Sequence, residues 1–153
     1  MRPGDVVADF VLPDQHGTER ALSELLDAGP VVLFFYPAAM TTGCTAETCH
    51  FRDLSAEFAE LGAQPVGISA DPVGKQYRFA EANSVPFPLL SDFDGVVARR
   101  FGVKRRFGPI PVKRHTFVVD TDSSVLTVVR DEFRMTAHAD TALRVLRDRV
   151  TES

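Results

Sequence analysis

Residues 31–44 read Val-Val-Leu-Phe-Phe-Tyr-Pro-Ala-Ala-Met-Thr-Thr-Gly-Cys, and this stretch decides the fold. Its first six residues are apolar without alternation and rich in branched and aromatic side chains, which is typical of a strand covered on both faces. The turn that follows, from Pro37 to Gly43, delivers Cys44 into the first turn of a helix. Free N–H groups and the helix dipole stabilise a thiolate there, so Cys44 is a candidate reactive cysteine.

Strand and helix patterns alternate along the rest of the chain. Two apolar segments flanking the turn at 120–124 predict a β-hairpin, and Asp71 and Pro72 are interpreted as the N-cap and first residue of a helix. This order predicts an α/β protein of thioredoxin-like plan, with a mixed central β-sheet flanked by helices. The predicted strands are 9–12, 31–36, 65–69, 86–90, 115–119 and 125–130, and the predicted helices are 21–28, 44–61, 71–80, 95–101 and 139–150.

Two of these helices carry a clear apolar face. In the helix 44–61, which Gly62 ends, that face consists of residues at steps of three and four. In the last helix we expect four apolar residues to point inward. The first set is Phe51, Leu54, Phe58 and Leu61, and the second is Leu143, Val145, Leu146 and Val150.

Length and composition predict one globular domain spanning residues 1–153, with 44% apolar and 25% charged residues. The longest purely apolar run has six residues, too few to cross a bilayer, and the N-terminus lacks the apolar core of a secretory signal. We therefore expect a cytoplasmic, reducing environment. Two cysteines there are more often catalytic, redox-active or metal-binding than a structural disulfide.

The net charge of −4 conceals a basic segment at residues 99–114, where seven of sixteen residues are basic and none is acidic. A nucleic-acid surface would need a broader basic area with stacking aromatics. The pattern favours a solvated loop, or one that steers an anionic or acidic partner.

Cys44 and Cys49 are five positions apart, which on a helix places their Cα atoms roughly 8–9 Å apart, beyond the ~7 Å that a disulfide can bridge. If they pair, the helix from about residue 42 to 49 must unwind. Other interpretations stay open. Cys49 could be a small buried apolar residue, and the cysteines with His50 could form part of a zinc site, although no fourth ligand is evident. A Cys-x-x-Cys dithiol motif is absent.

Pro37, Thr41 and Cys44 have the spacing Pro-x-x-x-Thr-x-x-Cys, which resembles the signature of peroxiredoxins. Cys49, followed by Phe51-Arg52-Asp53, resembles the PrxQ, or bacterioferritin comigratory protein, branch. The resemblance covers nearly the whole chain, through Gly4-Asp5, Ala8-Asp9-Phe10, Leu12-Pro13-Asp14, Gly67-Ile68-Ser69-Ala70-Asp71, Phe87-Pro88-Leu89-Leu90-Ser91-Asp92, Arg114-His115-Thr116-Phe117-Val118-Val119-Asp120 and His138-Ala139.

The resemblance implies a thiol peroxidase without a cofactor or metal. Cys44 would be the peroxidatic cysteine, oxidised to a sulfenic acid by hydrogen peroxide or an organic hydroperoxide. Arg114 would stabilise the thiolate and the developing charge on the peroxide. Cys49 would resolve the sulfenic acid as an intramolecular disulfide, which thioredoxin or a similar dithiol would reduce.

Three further residues receive roles from the same resemblance. Thr41 would hydrogen-bond the thiolate and the peroxide, Pro37 would shield the site from water, and Glu47 would orient the arginine. Simpler interpretations stand beside these. Arg114 could be surface charge, Thr41 a helix cap and Pro37 the end of a strand. Glu47 could interact with the helix dipole. The four histidines receive no catalytic role.

The chain departs from the common motif at Thr42, where proline is usual, and at Ala38, Ala39 and Met40, which make the pocket rim more apolar. The first change leaves the stability of the active-site turn open, and the second predicts acceptance of organic hydroperoxides. A redox sensor or partner-binding switch that uses the same cysteine pair is the alternative function, and a metal-binding protein is a third. We expect a monomer, with a dimer as the alternative, and no nucleic-acid or membrane partner.

Overall fold

The computed structural model of the chain describes residues 1–105, 107–108 and 110–152, with the backbone alone for 151–152. Its seven strands are β1 (Val11–Pro13), β2 (Glu19–Ala21), β3 (Val31–Phe35), β4 (Gln64–Ser69), β5 (Leu89–Ser91), β6 (His115–Val119) and β7 (Val125–Arg130). Its helices are α1 (Leu22–Asp27), α2 (Thr42–Asp53), α3 (Ser55–Glu60), α4 (Val73–Asn83), α5 (Val96–Arg100) and α6 (Ala137–Glu152).

Five strands form one mixed sheet in the order β5-β4-β3-β6-β7. Strands β3, β4 and β5 run parallel, while β6 is antiparallel to β3 and forms a hairpin with β7. The central strand β3 is buried along its whole length, as its unbroken apolar sequence predicts. A mixed sheet between helices confirms the predicted thioredoxin-like plan.

Side chains of β3 alternate between the two sides of the sheet and build a core on each. Leu33 and Phe35 pack in the cluster that contains α1 and α5. Phe34 and Tyr36 pack on the opposite face with α2, α4 and α6, and Cys44 belongs to this second cluster. Each fully buried large side chain contributes roughly 1.5–3 kcal/mol, so the face that stabilises the sheet also encloses the thiol.

The helix predicted over residues 44–61 is wrong as a single element. The structure begins α2 at Thr42 and separates it from α3 at Leu54, whose φ and ψ are −98° and 9°. The Ser55 hydroxyl lies 3.3 Å from the Phe51 carbonyl oxygen, and such a side-chain bond to the backbone competes with regular helical geometry. Phe51 and Phe58 are nevertheless fully buried, as the apolar face predicts.

The predicted cap of α4 is also wrong. Pro72, and not Asp71, occupies the N-cap position. The Asp71 carboxylate instead accepts hydrogen bonds from the Ser69 hydroxyl and the Ala39 N–H, both at 2.7 Å. Asp71 therefore links the end of β4 to the turn before α2.

Several boundaries differ from those predicted. The first strand lies at Val11–Pro13 and pairs with β2, which was not predicted because it has only three residues. Strand β5 lies at Leu89–Ser91, where the sequence predicted a strand over 86–90. In α6, Leu143 and Leu146 are buried as expected, but Val150 is 48% exposed and its expected interior position is wrong. No described helix is long and apolar enough to cross a membrane.

Candidate active site

The candidate reactive cysteine lies where β3 and its following turn lead into α2. Cys44 is the third residue of this helix and its side chain has no exposed surface. Thr41 occupies the N-cap position, and its carbonyl oxygen accepts the Thr45 N–H at 2.9 Å. The first turn of α2 is therefore formed, and Cys44 lies in the turn whose N–H groups have no partner within the helix.

Hydrogen bonds from the end of β4 and from α4 hold the turn that precedes the cysteine. The Ala39 N–H donates to Asp71, and Tyr36 donates its hydroxyl to Gln76, whose side-chain amide donates in turn to the Ser69 hydroxyl. Met40 completes the turn with a φ of 69°, a left-handed conformation that costs a non-glycine residue about 1–2 kcal/mol. A strained turn held by buried hydrogen bonds fixes the direction in which Cys44 points.

Arg114 reaches the thiol from the neighbouring strand. Its Nη2 lies 3.4 Å from Cys44 Sγ, and its Nη1 donates to Glu47 Oε2 at 2.8 Å. The side chain of Glu47 is fully buried and that of Arg114 is 8% exposed, so solvent screens this ion pair little. The structure thus brings together Cys44, Glu47 and Arg114, which lie up to 70 residues apart in the chain.

The charges of this triad are coupled. Burial raises the pKa of Glu47 to about 7, although the Arg114 guanidinium opposes that shift. Burial would lower the pKa of Arg114, but the Glu47 carboxylate and the Cys44 sulfur together hold it above its usual value. Arg114 is therefore a permanent cation against the sulfur, while Glu47 takes up protons near neutral pH.

Gly43 leaves space for this contact. A Cβ atom at Gly43 would lie 3.3 Å from Arg114 Nη2, a close approach, and 3.6 Å from the sulfur of Met135. The missing side chain lets the guanidinium lie over the first turn of α2. Met135, which is half-buried, lies over the same point.

Glu132 positions the strand end from which Arg114 projects. Its Oε1 accepts the Arg114 N–H at 3.1 Å and pairs with Arg105 Nη2 at 3.3 Å. Sequence reasoning missed Glu132 and Met135 because they lie in a short polar segment after β7 that has no motif of its own. It also missed the contact of Asp71 with the turn. The basic segment 99–114 contacts this site through the ion pair of Arg105 with Glu132, and Arg106 lies outside the described residues.

The remaining predicted residues are close to the thiol in sequence, but their contacts differ. The Thr41 hydroxyl is exposed and donates to the Ala38 carbonyl oxygen at 2.7 Å, so neither a bond to sulfur nor a side-chain cap is formed. Pro37 is half-buried, two residues beyond the end of β3. In the described part of the chain, neither side chain forms a hydrogen bond with Cys44.

Cys49 lies on the same helix, about one turn before its end, and is half-buried. Its Sγ lies 3.5 Å from Asn83 Oδ1, and the neighbouring His50 pairs with Asp140 at 2.7 Å. Both cysteines are free thiols. They occupy one continuous helix, so the spacing argument applies to the folded protein: α2 must open for the sulfurs to meet.

His50 and Cys49 thus have separate partners. Among the described residues, no three His, Cys, Asp or Glu side chains are grouped as ligands for a metal ion. His138 is fully buried and accepts the Thr116 hydroxyl at Nδ1, at 2.7 Å, while its Nε2 donates to the Asp131 carbonyl oxygen. This histidine fastens α6 to β6 behind the site.

A buried thiol held against a guanidinium at a helix N-terminus is suited to react as a thiolate with a small electrophile. Together with the five-stranded mixed sheet, this site places the protein in the class of thioredoxin-fold thiol enzymes.

Comparison with known proteins defines the family within that class. The model of the AhpC/TSA family matches residues 3–128. "Putative peroxiredoxin Rv1608c" of Mycobacterium tuberculosis is 64% identical over 149 residues, which are 96% of this chain and 97% of that protein. The crystal structure of peroxidoxin BcpB from Mycobacterium tuberculosis superposes with a TM-score of 0.93 at 63% identity, covering 97% of each chain. A PrxQ mutant from Xylella fastidiosa has a TM-score of 0.90 at 26% identity, covering 98% of each chain.

The chain belongs to the AhpC/TSA family and is a peroxiredoxin, a thiol-dependent peroxidase. The resemblance to the PrxQ branch that the sequence indicated is confirmed.

Proposed function

We propose that this peroxiredoxin reduces hydrogen peroxide and organic hydroperoxides with Cys44 as the peroxidatic residue. The observation that supports this assignment is the 3.4 Å contact between Arg114 Nη2 and Cys44 Sγ inside a buried ion-pair network. The guanidinium favours the thiolate and can hold the peroxide oxygens as charge develops. No metal or cofactor is needed for this step.

The reaction proceeds by attack of the Cys44 thiolate on one peroxide oxygen. The S–O bond forms as the O–O bond breaks, and water or an alcohol leaves with the proton of the peroxide. Thr41 exchanges its bond to Ala38 for one to the peroxide, because its exposed hydroxyl can rotate. Pro37 excludes water from the pocket, and Glu47 holds Arg114 in place.

Cys49 then resolves the sulfenic acid. Its thiol displaces water from Cys44, so that a disulfide forms and α2 unwinds around it. A dithiol reductant, which we propose is thioredoxin, exchanges with this disulfide and restores both thiols. Since a free dithiol cycle needs a reducing compartment, we propose that the protein acts in the cytoplasm.

The two cysteine roles are tested with Cys44→Ser and Cys49→Ser in an assay that couples peroxide consumption to NADPH through thioredoxin and its reductase. We expect Cys44→Ser to abolish peroxide consumption. Cys49→Ser should retain one fast oxidation but lose turnover and become prone to sulfinic acid formation at Cys44, detected by mass spectrometry. Normal thioredoxin-linked turnover in Cys49→Ser would contradict the resolving role.

The proposed substrate range rests on the apolar residues of the turn that precedes Cys44. Ala39 is buried, while Met40 is 54% exposed next to the thiol turn. An alkyl group on the peroxide can therefore remain in contact with apolar surface during attack. If rates with cumene or fatty-acid hydroperoxides were negligible beside those with hydrogen peroxide, this range would be wrong.

A redox sensor that uses the same pair is the second candidate, favoured by the requirement that α2 opens on oxidation. A sensor would oxidise once and accumulate, whereas a peroxidase consumes peroxide in proportion to NADPH. We further propose that residues 1–153 form a single domain, because both core clusters combine early and late segments of the chain. We propose that it is monomeric, which sedimentation of reduced and oxidised protein tests.

A further inference from the structure

A methionine sulfur lies beside the group that would bind the peroxide. Met135 Sδ and Arg114 Nη2 both approach the empty Cβ position of Gly43, at 3.6 and 3.3 Å. The Arg114 Nε is buried without a hydrogen-bond partner in the described structure, so the guanidinium keeps donor capacity for a bound oxygen. A peroxide held by Arg114 would therefore lie within reach of two sulfurs, those of Cys44 and Met135.

We propose that Met135 is a second oxidation site, at which a hydroperoxide bound by Arg114 converts the thioether to methionine sulfoxide. The inference rests on the proposed function, because it takes the peroxide to be held by Arg114. The chain has three methionines, and Met135 is the one that contacts the first turn of α2 through Gly43.

The step is balanced with the peroxide as the oxidant. A sulfur lone pair attacks the terminal oxygen, the S–O bond forms, and the O–O bond breaks. The departing alkoxide or hydroxide takes the hydroperoxide proton and leaves as alcohol or water. Sulfur loses two electrons and the peroxide gains them. The Arg114 charge stabilises the departing anion, as it would in the reaction of Cys44.

Oxidation would change the site, because a sulfoxide oxygen is a polar acceptor where the thioether is apolar. That oxygen would lie close to Arg114 Nη2, the atom that contacts Cys44 Sγ. Competition for this donor should slow the next oxidation of Cys44. Met135 would then act as a brake that engages when peroxide is in excess.

Met40 provides a matched comparison within the chain. It is 54% exposed, whereas Met135 is half-buried, so solvent access alone predicts faster oxidation of Met40. Binding of peroxide by Arg114 predicts the opposite order. The two explanations therefore predict opposite orders for the oxidation rates of Met135 and Met40.

The test treats Cys44→Ser protein with hydrogen peroxide and follows both sulfoxides by peptide mass spectrometry. We expect Met135 to oxidise several-fold faster than Met40, and this preference to disappear in Cys44→Ser/Arg114→Lys. Equal or faster oxidation of Met40, or a preference that survives loss of Arg114, would overturn the proposal.

A second measurement tests the brake in protein that retains both cysteines. After a pulse of excess peroxide and full thiol reduction, Met135→Leu should retain a higher peroxidase rate than Met40→Leu or the unmodified chain, compared at equal Cys44 sulfinic acid content. Equal loss in all three would overturn the brake. Absence of peroxide consumption by the unpulsed chain would instead contradict the proposed function, so the two failures are distinguishable.

Discussion

Arg114 connects α2, which carries Cys44 and Glu47, to the segment after β7, which carries Glu132. Its guanidinium contacts Cys44 on one side and Glu47 on the other, and its N–H is held by Glu132. Lysine has a single ammonium in place of this planar fork, so it cannot present two separate nitrogens to the carboxylate and the sulfur. The role of Arg114 therefore depends on shape as well as on charge.

Replacing Arg114 should slow the reaction of Cys44 with an electrophile, more in Arg114→Ala than in Arg114→Lys, because the guanidinium lies 3.4 Å from the sulfur. The rate of alkylation by iodoacetamide, followed as a function of pH, measures this reactivity. Arg114→Ala should also lose about 3–5 kcal/mol of stability, because it leaves Glu47 buried and unpaired. Arg105→Ala is the control, since Arg105 pairs with Glu132 without touching the sulfur. An unchanged alkylation profile in Arg114→Lys would contradict the assigned role.

A substitution at Gly43 should affect the oxidation rate of Cys44 and the stability of the fold differently. Alanine in place of a helical glycine usually gains about 0.5–1 kcal/mol. Here the added Cβ would approach Arg114 Nη2 at 3.3 Å, so Gly43→Ala should slow Cys44 oxidation several-fold without comparable loss of stability. Stopped-flow oxidation and denaturant unfolding measure the two effects. Gly74→Ala, at the equivalent position of α4 with its nearest contact at 3.8 Å, should leave the oxidation rate unchanged.

At the scale of the element, α2 has two opposing tasks. In the proposed mechanism its first turn stabilises the Cys44 thiolate, and its packing holds Phe51 against Phe34, with ring centroids 4.2 Å apart. The same helix keeps Cys44 and Cys49 too far apart to bond. Opening is favoured by the strained Met40 and is opposed by the burial of Phe51, so we expect it to stop near that residue.

This division of α2 predicts a local loss of hydrogen-exchange protection. In the disulfide form, amides from residue 45 to 49 should exchange faster, while those beyond Phe51 stay protected. Amide exchange measured by mass spectrometry or NMR checks this. Cys49→Ser oxidised to the sulfenic acid is the control and should keep the reduced pattern, because no disulfide forms. Uniform loss of protection across α2 and α3 would argue for global instead of local opening.

At the scale of the whole molecule, the buried Glu47 links stability to pH. Its folded-state pKa of about 7 exceeds the unfolded value of 4.5, so the folded state binds more protons between these pH values. This contribution is therefore fully present below about pH 4.5 and is lost as the pH rises to about 7. The corresponding change is on the order of 3 kcal/mol.

We expect Glu47→Gln to remove that dependence. Relative to the unmodified chain, its free energy of unfolding should rise from pH 4.5 to 7 by up to about 3 kcal/mol, whatever its absolute stability. Urea unfolding across this range measures the difference. Glu24→Gln, at an exposed position of α1, controls for loss of one negative charge and should show a constant difference. If the free energies of unfolding of Glu47→Gln and of the unmodified chain ran parallel between pH 4.5 and 7, the raised pKa of Glu47 would be contradicted.

Regular patterns in the sequence predicted most elements, because they report which face of a strand or helix is buried. Irregular points were missed. The break at Leu54 depends on a serine that competes for one carbonyl, and the role of Asp71 depends on a turn 32 residues earlier in the chain. Three-residue strands such as β2 hold too little periodicity to be recognised.

The order of strand and helix patterns predicted the mixed sheet, the turn after residues 31–36 placed Cys44 at a helix start, and the number of residues between the cysteines set their spacing. Each of these needs only the local sequence, whereas the surroundings of the sulfur depend on the tertiary structure. Glu47 on α2, Arg114 before β6 and the segment with Glu132 and Met135 come from three parts of the chain that the fold brings together, and the Thr41 hydroxyl turns to Ala38 instead of the sulfur. Burial and contact between distant segments set the electrostatics of the site, and neither is encoded in any single stretch of the chain.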